Sequence, residues 1–172
     1  IYIFEPEVID LIPSGVAFDI GSELFPLLAE RGLPFYAQGR PFNWLDIGTM
    51  SDYWEVLQTV LTGEVNHMDV PGTQIEPGLW VGLNTSIDWN GTTIEGPVYI
   101  GSGVRIEAGV HIVGPTWIGH GSHICEGAEV VRSVLFEYTR VLHDVTLNEM
   151  IVFKEYSVDR AGEMKHASEY SS

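Results

Sequence analysis

The stretch Tyr99-Ile100-Gly101-Ser102-Gly103-Val104-Arg105-Ile106-Glu107-Ala108-Gly109-Val110-His111-Ile112-Val113-Gly114-Pro115-Thr116-Trp117-Ile118 places an isoleucine at every sixth position. Upstream the series continues to Ile94 and then, one residue out of step, to Ile87, Val81 and Ile75. Downstream it passes through Ile124 and Val130 and then, one residue short, through Leu135, Val141, Leu147 and Phe153. Four residues into the repeat the side chain is small or β-branched: Thr85, Val98, Val104, Val110, Thr116, Ser122, Ala128, Thr139 and Val145. Six is neither a helical period nor a simple strand period. An aliphatic and a small inward residue recurring every six residues are the signature of a parallel β-helix, in which three hexads close one triangular coil. The 14 hexads predict four to five coils across residues 67–158, each burying its neighbour's face.

Eighteen residues per coil assign the faces. Val81, Ile100 and Ile118 share one face, and each is followed by glycine. The residues just before them, Trp80, Tyr99 and Trp117, then point outward as a ladder. Outward aromatics on a solenoid are costly unless covered, so these three are a candidate interface for residues 1–66 or for another subunit. The alternative is that aromatics simply suit an exposed β face.

Composition narrows the function. The chain has 172 residues, 45% of them hydrophobic and 19% charged, which is enough apolar material for a core and excludes wholesale disorder. Eight Lys and Arg stand against 24 Asp and Glu, for a net charge of -16, and no lysine precedes Lys154. That balance offers no basic footprint for nucleic acid and disfavours an anionic membrane surface. One cysteine, Cys125, permits neither a disulfide framework nor a cysteine-rich zinc site, as expected of a cytoplasmic protein. No apolar run approaches the roughly 20 residues of a membrane span, and no signal-peptide pattern opens the chain. Residue 1 falls within an apolar strand pattern, so a fragment of a longer protein is expected.

Residues 1–66 mix helix and strand signals. Tyr2–Phe4, Pro34–Ala37 and Asn43–Thr49 read as strands, the last ending in a loop. Helices are expected from Pro6 to Leu11, from Ser22 to Arg31 with Gly32 as its left-handed cap, and from Ser51 to Leu61. Pro26 sets off the first turn of the second helix. Thr49 and Asp52 are spaced as a capping box for the third, whose apolar face reads as Tyr53, Val56, Leu57, Val60 and Leu61. Residues 159–172 read as a polar tail, Ser-rich at its end, with a short strand at Tyr156–Asp159 before it.

Tyr2-Ile3-Phe4-Glu5-Pro6, Phe18-Asp19-Ile20 with Leu24-Phe25-Pro26-Leu27-Leu28, and Trp44-Leu45-Asp46-Ile47-Gly48-Thr49 with Asp52-Tyr53 precede the hexads in that order. Together with the hexads they resemble the C-terminal half of a sugar-phosphate nucleotidyltransferase, of the bacterial mannose-1-phosphate guanylyltransferase branch. Val158-Asp159-Arg160-Ala161-Gly162 is a weaker pointer to that branch. The resemblance implies a left-handed coil, although ordinary parallel crossovers are right-handed. It also implies condensation of a nucleoside triphosphate (GTP, in that branch) with a sugar 1-phosphate, in a homo-oligomer. Asp46 would be one of two Mg²⁺-binding aspartates, and Tyr2 would stand beside the sugar pocket. The family's glycine-rich triphosphate loop, first metal-binding aspartate and catalytic lysines have no counterpart here. The chain is therefore expected to contain no catalytic residue and to be inactive alone.

Two alternatives rest on the coils. His111, His120 and His123 could activate an acceptor for acyl-CoA-dependent transfer, or ligate zinc as in solenoid carbonic anhydrases. Against this, the coils carry no long inserted loop, and His111 and His123 fall on different faces. The other alternative is a purely structural oligomerisation module.

Overall fold

The aliphatic rows read from the sequence are buried: Ile100, Ile106, Ile112, Ile118, Ile124, Val130, Leu135, Val141 and Leu147 form a continuous core. This is seen in a computed structural model that describes residues 1–65 and 67–166. The chain divides into two compact units, Ile1–Phe42 and Asn43–Ser172.

The second unit is a parallel β-solenoid of about four turns, formed by three sheets. On the first face the parallel strands are Leu79–Val81, Val98–Ile100, Thr116–Ile118, Val134–Leu135 and Met150–Phe153. The second face stacks Ser86–Ile87, Arg105–Ile106, His123–Ile124 and Arg140–Val141. The third stacks Thr93–Glu95, His111–Val113, Glu129–Val131 and Thr146–Asn148. Small polar residues predicted to point inward are buried because their hydroxyls find carbonyls. Thr116 Oγ1 donates to Val113 O at 2.7 Å, and Thr139 Oγ1 donates to Phe136 O at 2.8 Å.

Both ends of the hexad series depart from expectation. Ile75 is exposed, because Thr73–Glu76 runs antiparallel to Leu79–Val81 as a hairpin arm and not as a coil. Val152, not Phe153, pairs beside Leu135 and is buried. The step from Leu147 to Val152 is five residues, like that from Val130 to Leu135. In both, a positive-φ residue (Glu149 or Arg132) turns the corner that Gly114-Pro115 and Gly96-Pro97 turn in earlier coils. Beyond Phe153 the chain folds back as the antiparallel strands Tyr156–Asp159 and Met164–His166. The first of these is the strand expected there, and the Ser-rich end lies outside the described residues.

Helix α1 spans Pro6–Ile9 and α2 spans Phe25–Glu30. A single π-helical turn, Ile20–Leu24, precedes α2, so the turn before Pro26 is set off as expected. Gly32, at φ 63, closes α2. Helix α3, Met50–Leu61, opens on the predicted capping box: Asp52 N donates to Thr49 Oγ1 at 3.1 Å and Thr49 N to Asp52 Oδ2 at 2.8 Å. Thr49→Ala should cost the chain about 1 kcal/mol in urea unfolding. An unchanged midpoint would show that α3 is held by its packing alone.

The buried face of α3 is rotated from the predicted one. Trp54 and Leu61 are its buried residues, and Tyr53 and Leu57 pack partly against the core. No strand forms over residues 1–5 or 33–48. Their apolar patterns are those of strands, but a strand exists only where a neighbour takes its backbone hydrogen bonds, and none is paired with them among the described residues.

Candidate functional site

Asp46 lies in the irregular segment leading into α3, with its carboxylate exposed. Among the described residues no side chain is bonded to it. Two residues on, Gly48 N donates to Asp52 Oδ2 at 3.2 Å, so the capping box also fixes the end of this loop. Within the other unit, Tyr2 is exposed and its ring meets Phe25 edge-on at 5.4 Å.

Trp80, Tyr99 and Trp117 occupy successive positions in the outer row of the first face. Val134 and Ile151 continue that row. The Tyr99 and Trp117 rings lie 4.0 Å apart, and Tyr99 is only 2% exposed. Helix α3 packs on this row. Trp54 sits with Val134 and Ile151, and Tyr53, Leu57, Trp117 and Phe136 pack around them. The indole N–H of Trp54 donates to Arg132 O at 3.1 Å, and the Arg160 guanidinium lies 4.9 Å over its ring. Burial, with the Glu137 charge adding to it, raises the pKa of both Tyr53 and Tyr99 above the ordinary phenol value. The loop carrying Asp46 is thus tied to the solenoid through α3. The sequence reading missed Trp54, although its spacing of seven from Leu61 was available as a signal.

The three solenoid histidines do not converge. His111, on the third face, bonds through Nδ1 to Thr93 Oγ1. The corner residue His120 accepts from Ser102 N at 3.0 Å. His123, on the second face, meets Glu107 Oε1 through Nε2 at 2.8 Å.

A different cluster forms instead. Ligand atoms of Glu107, His123 and Cys125 all lie within 4.8 Å of one another. Register explains it. Ile106 pairs with Ile124, so Glu107 stacks beside Cys125, one coil apart. His123 and Cys125 flank the inward Ile124 and so share its opposite side. Glu107 also accepts from Glu126 N at 3.1 Å, and Arg105 approaches at 3.5 Å. Its carboxyl pKa lies below the ordinary value, chiefly through the His123 hydrogen bond and then the Glu126 amide, with burial opposing. Cys125 is fully buried. The signal was in the sequence as an eighteen-residue offset between 107 and 125.

Among the described residues no helix is long and apolar enough to cross a membrane. Residues 1–63 match the family described as Nucleotidyl transferase. The chain is 49% identical over 162 residues to the UTP–glucose-1-phosphate uridylyltransferase of Synechocystis sp., which covers 94% of this chain and 42% of that protein. It is 32% identical over 125 residues to the mannose-1-phosphate guanylyltransferase of Mycobacterium tuberculosis, covering 63% of this chain and 34% of that protein. The chain therefore spans less than half the length of either relative. The first likeness runs through both the N-terminal segments and the coils. It exceeds the likeness to the guanylyltransferase, the branch expected from the sequence, in identity and in extent.

Proposed function

We propose that this chain, a relative of the sugar-phosphate nucleotidyltransferases, is part of an enzyme that joins a nucleoside triphosphate to a sugar 1-phosphate. In that reaction a phosphate oxygen of the sugar phosphate attacks the α-phosphorus. The bond to the β-phosphate breaks and pyrophosphate leaves. The observation that carries the reading is a 49% identity extending over 94% of the chain, on top of the family match at residues 1–63. The same likeness favours UTP and glucose 1-phosphate as substrates. GTP and mannose 1-phosphate are the second reading, supported by the 32% identity and by Val158–Gly162.

In this reading residues 1–66 belong to the catalytic domain, 67–158 are the solenoid and 159–172 a tail. Asp46 would hold Mg²⁺. The ion takes one or two carboxylates and fills its shell with water and phosphate oxygens, so one exposed carboxylate beside a glycine fits it. When bound, Mg²⁺ supplies positive charge to the phosphates. Tyr2 would stand at the sugar side. The row Trp80, Tyr99 and Trp117 would be the surface on which the solenoid holds α3, and with it the Asp46 loop. The solenoid would have no chemistry of its own in the transfer and would also serve self-association, in the cytoplasm. Ile1 and Ile3, and separately Ile47, all exposed here, would be strand residues whose pairing partners lie in other parts of the protein.

With Mg²⁺ present, the complete protein should release pyrophosphate faster from UTP and glucose 1-phosphate than from GTP and mannose 1-phosphate. The reverse order would favour the second reading, and release from neither pair would sink both. The 172-residue chain by itself should release none, since residues 1–66 offer only Arg31 and Arg40 to a triphosphate. Turnover by the isolated chain would refute that assignment.

A further inference from the structure

We propose that Glu107, His123 and Cys125 form a site for a thiophilic divalent ion of the zinc type, on the solenoid's second face and separate from nucleotidyl transfer. The three side chains offer a carboxylate oxygen, an imidazole nitrogen and a sulfur, all within 4.8 Å of one another. This mixed set suits Zn²⁺ or Co²⁺ and is poor for Mg²⁺ or Ca²⁺, which take oxygen ligands. With metal–ligand bonds of about 2.0–2.3 Å, tetrahedral ligands stand roughly 3.3–3.6 Å apart. The 2.8 Å between His123 Nε2 and Glu107 Oε1 is instead a hydrogen bond, so a proton now occupies the position an ion would take. Exchanging it requires the pair to open by about half an ångström and the thiol to swing inward, which is side-chain rotation on a fixed backbone.

The backbone is fixed for reasons unrelated to a metal. Ile106 and Ile124 are buried and paired, Glu107 N donates to Ile124 O at 3.0 Å, and Cys125 N donates to Val141 O at 3.0 Å. The two coils therefore present the donors in a preset arrangement. Glu107 Oε2 already accepts from Glu126 N at 3.1 Å, which orients the carboxylate as outer-shell partners of metal ligands do. His123 and Glu107 are partly exposed, so an ion has a path from solvent.

The test adds Co²⁺ to the chelator-treated, reduced protein and follows its visible and near-ultraviolet spectrum, with stoichiometry from calorimetry using Zn²⁺. One ion per chain is expected, with a thiolate-to-cobalt charge-transfer band. That band should vanish in Cys125→Ser. Glu107→Gln should weaken binding by at least the roughly 10–100-fold that loss of an outer-shell partner costs. His111→Ala, on another face, should bind as the parent does. Cys125 is fully buried, so far-ultraviolet circular dichroism checks that its variant folds. If it does not, the exposed-side variant Glu107→Gln decides. Absence of the charge-transfer band, unchanged affinity in Glu107→Gln, or loss of binding in His111→Ala would each overturn the site.

Discussion

Replacing Gly101 by alanine should destabilise the solenoid by about 3 kcal/mol, the upper end of what overpacking costs. Gly82, Gly101 and Gly119 form a column at one corner, each just after an inward aliphatic residue. A Cβ at Gly101 would stand 2.7 Å from His120 N and 2.9 Å from Gly119 C. At Gly82 it would stand 2.4 Å from Ser102 N, and at Gly119 2.6 Å from Glu137 N. All three obstacles are backbone of the next coil, held at a strand spacing of about 4.8 Å by the ladder hydrogen bonds. The added methyl can be housed only by lifting one coil from the next. Gly103 is the control. It has φ +70 and nothing within 4 Å of a Cβ, so Gly103→Ala should cost only about 1–2 kcal/mol, for the left-handed backbone. Urea unfolding of both variants separates the two causes. Equal losses would mean that close approach is not the reason for the column.

That column also shows why the period was readable and its ends were not. In the fourth coil the corner residue is Phe136, not glycine. Phe136 N donates to Val152 O, but after Phe153 the chain turns back on itself as an antiparallel strand. Among the described residues no complete coil follows Phe153 over that corner, so a side chain is tolerated. A repeat of six encodes which residues face inward, and burial of Ile100 through Leu147 follows directly from it. It does not encode where stacking stops, which depends on what lies above the last coil. Ile75 departs from the period for that reason, and Phe153 because the step at Glu149 is one residue short. The five-residue step through Arg132 is visible as a lost residue, the one through Glu149 is read from the sequence as a step of six to Phe153, and that a left-handed residue makes either corner is seen only in the backbone.

In residues 1–48, apolar alternation identified segments able to be strands, yet a strand is a property of two segments. Pairing is missing among the described residues, so Ile1, Ile3 and Ile47 are exposed. Capping was legible because it is local: Thr49 and Asp52 need only each other. The metal-type cluster was legible only through register. The three histidines lie apart, whereas His123 is brought to Glu107 and Cys125 by the eighteen-residue coil and by strand alternation.

Trp54→Ala should have the largest effect outside the coils, loosening α3 and lowering turnover together. Trp54 is 6% exposed and fills the space over Val134 and Ile151, so its removal should cost about 3–5 kcal/mol. The loss falls mainly on one element. A 12-residue helix is marginal in water without a packed face, so α3 should fray while the coils persist. Amide hydrogen exchange would then accelerate across Met50–Leu61 and not at Ile106, Ile124 or Val141. Trp54→Phe keeps most of the packing and gives up the hydrogen bond to Arg132 O, at a cost of about 1 kcal/mol. If Asp46 holds Mg²⁺ as proposed, a frayed α3, which the Asp46 loop enters directly, should lower kcat of the complete protein and raise the Mg²⁺ concentration needed for half-maximal rate. The KM for sugar 1-phosphate should move less. Trp54 would act there as a positioning residue, through the helix and not on the substrate. Fast exchange in α3 with unchanged kcat would show that the solenoid does not position the Asp46 loop. Protected amides in Trp54→Ala would show that α3 is held by contacts other than this indole.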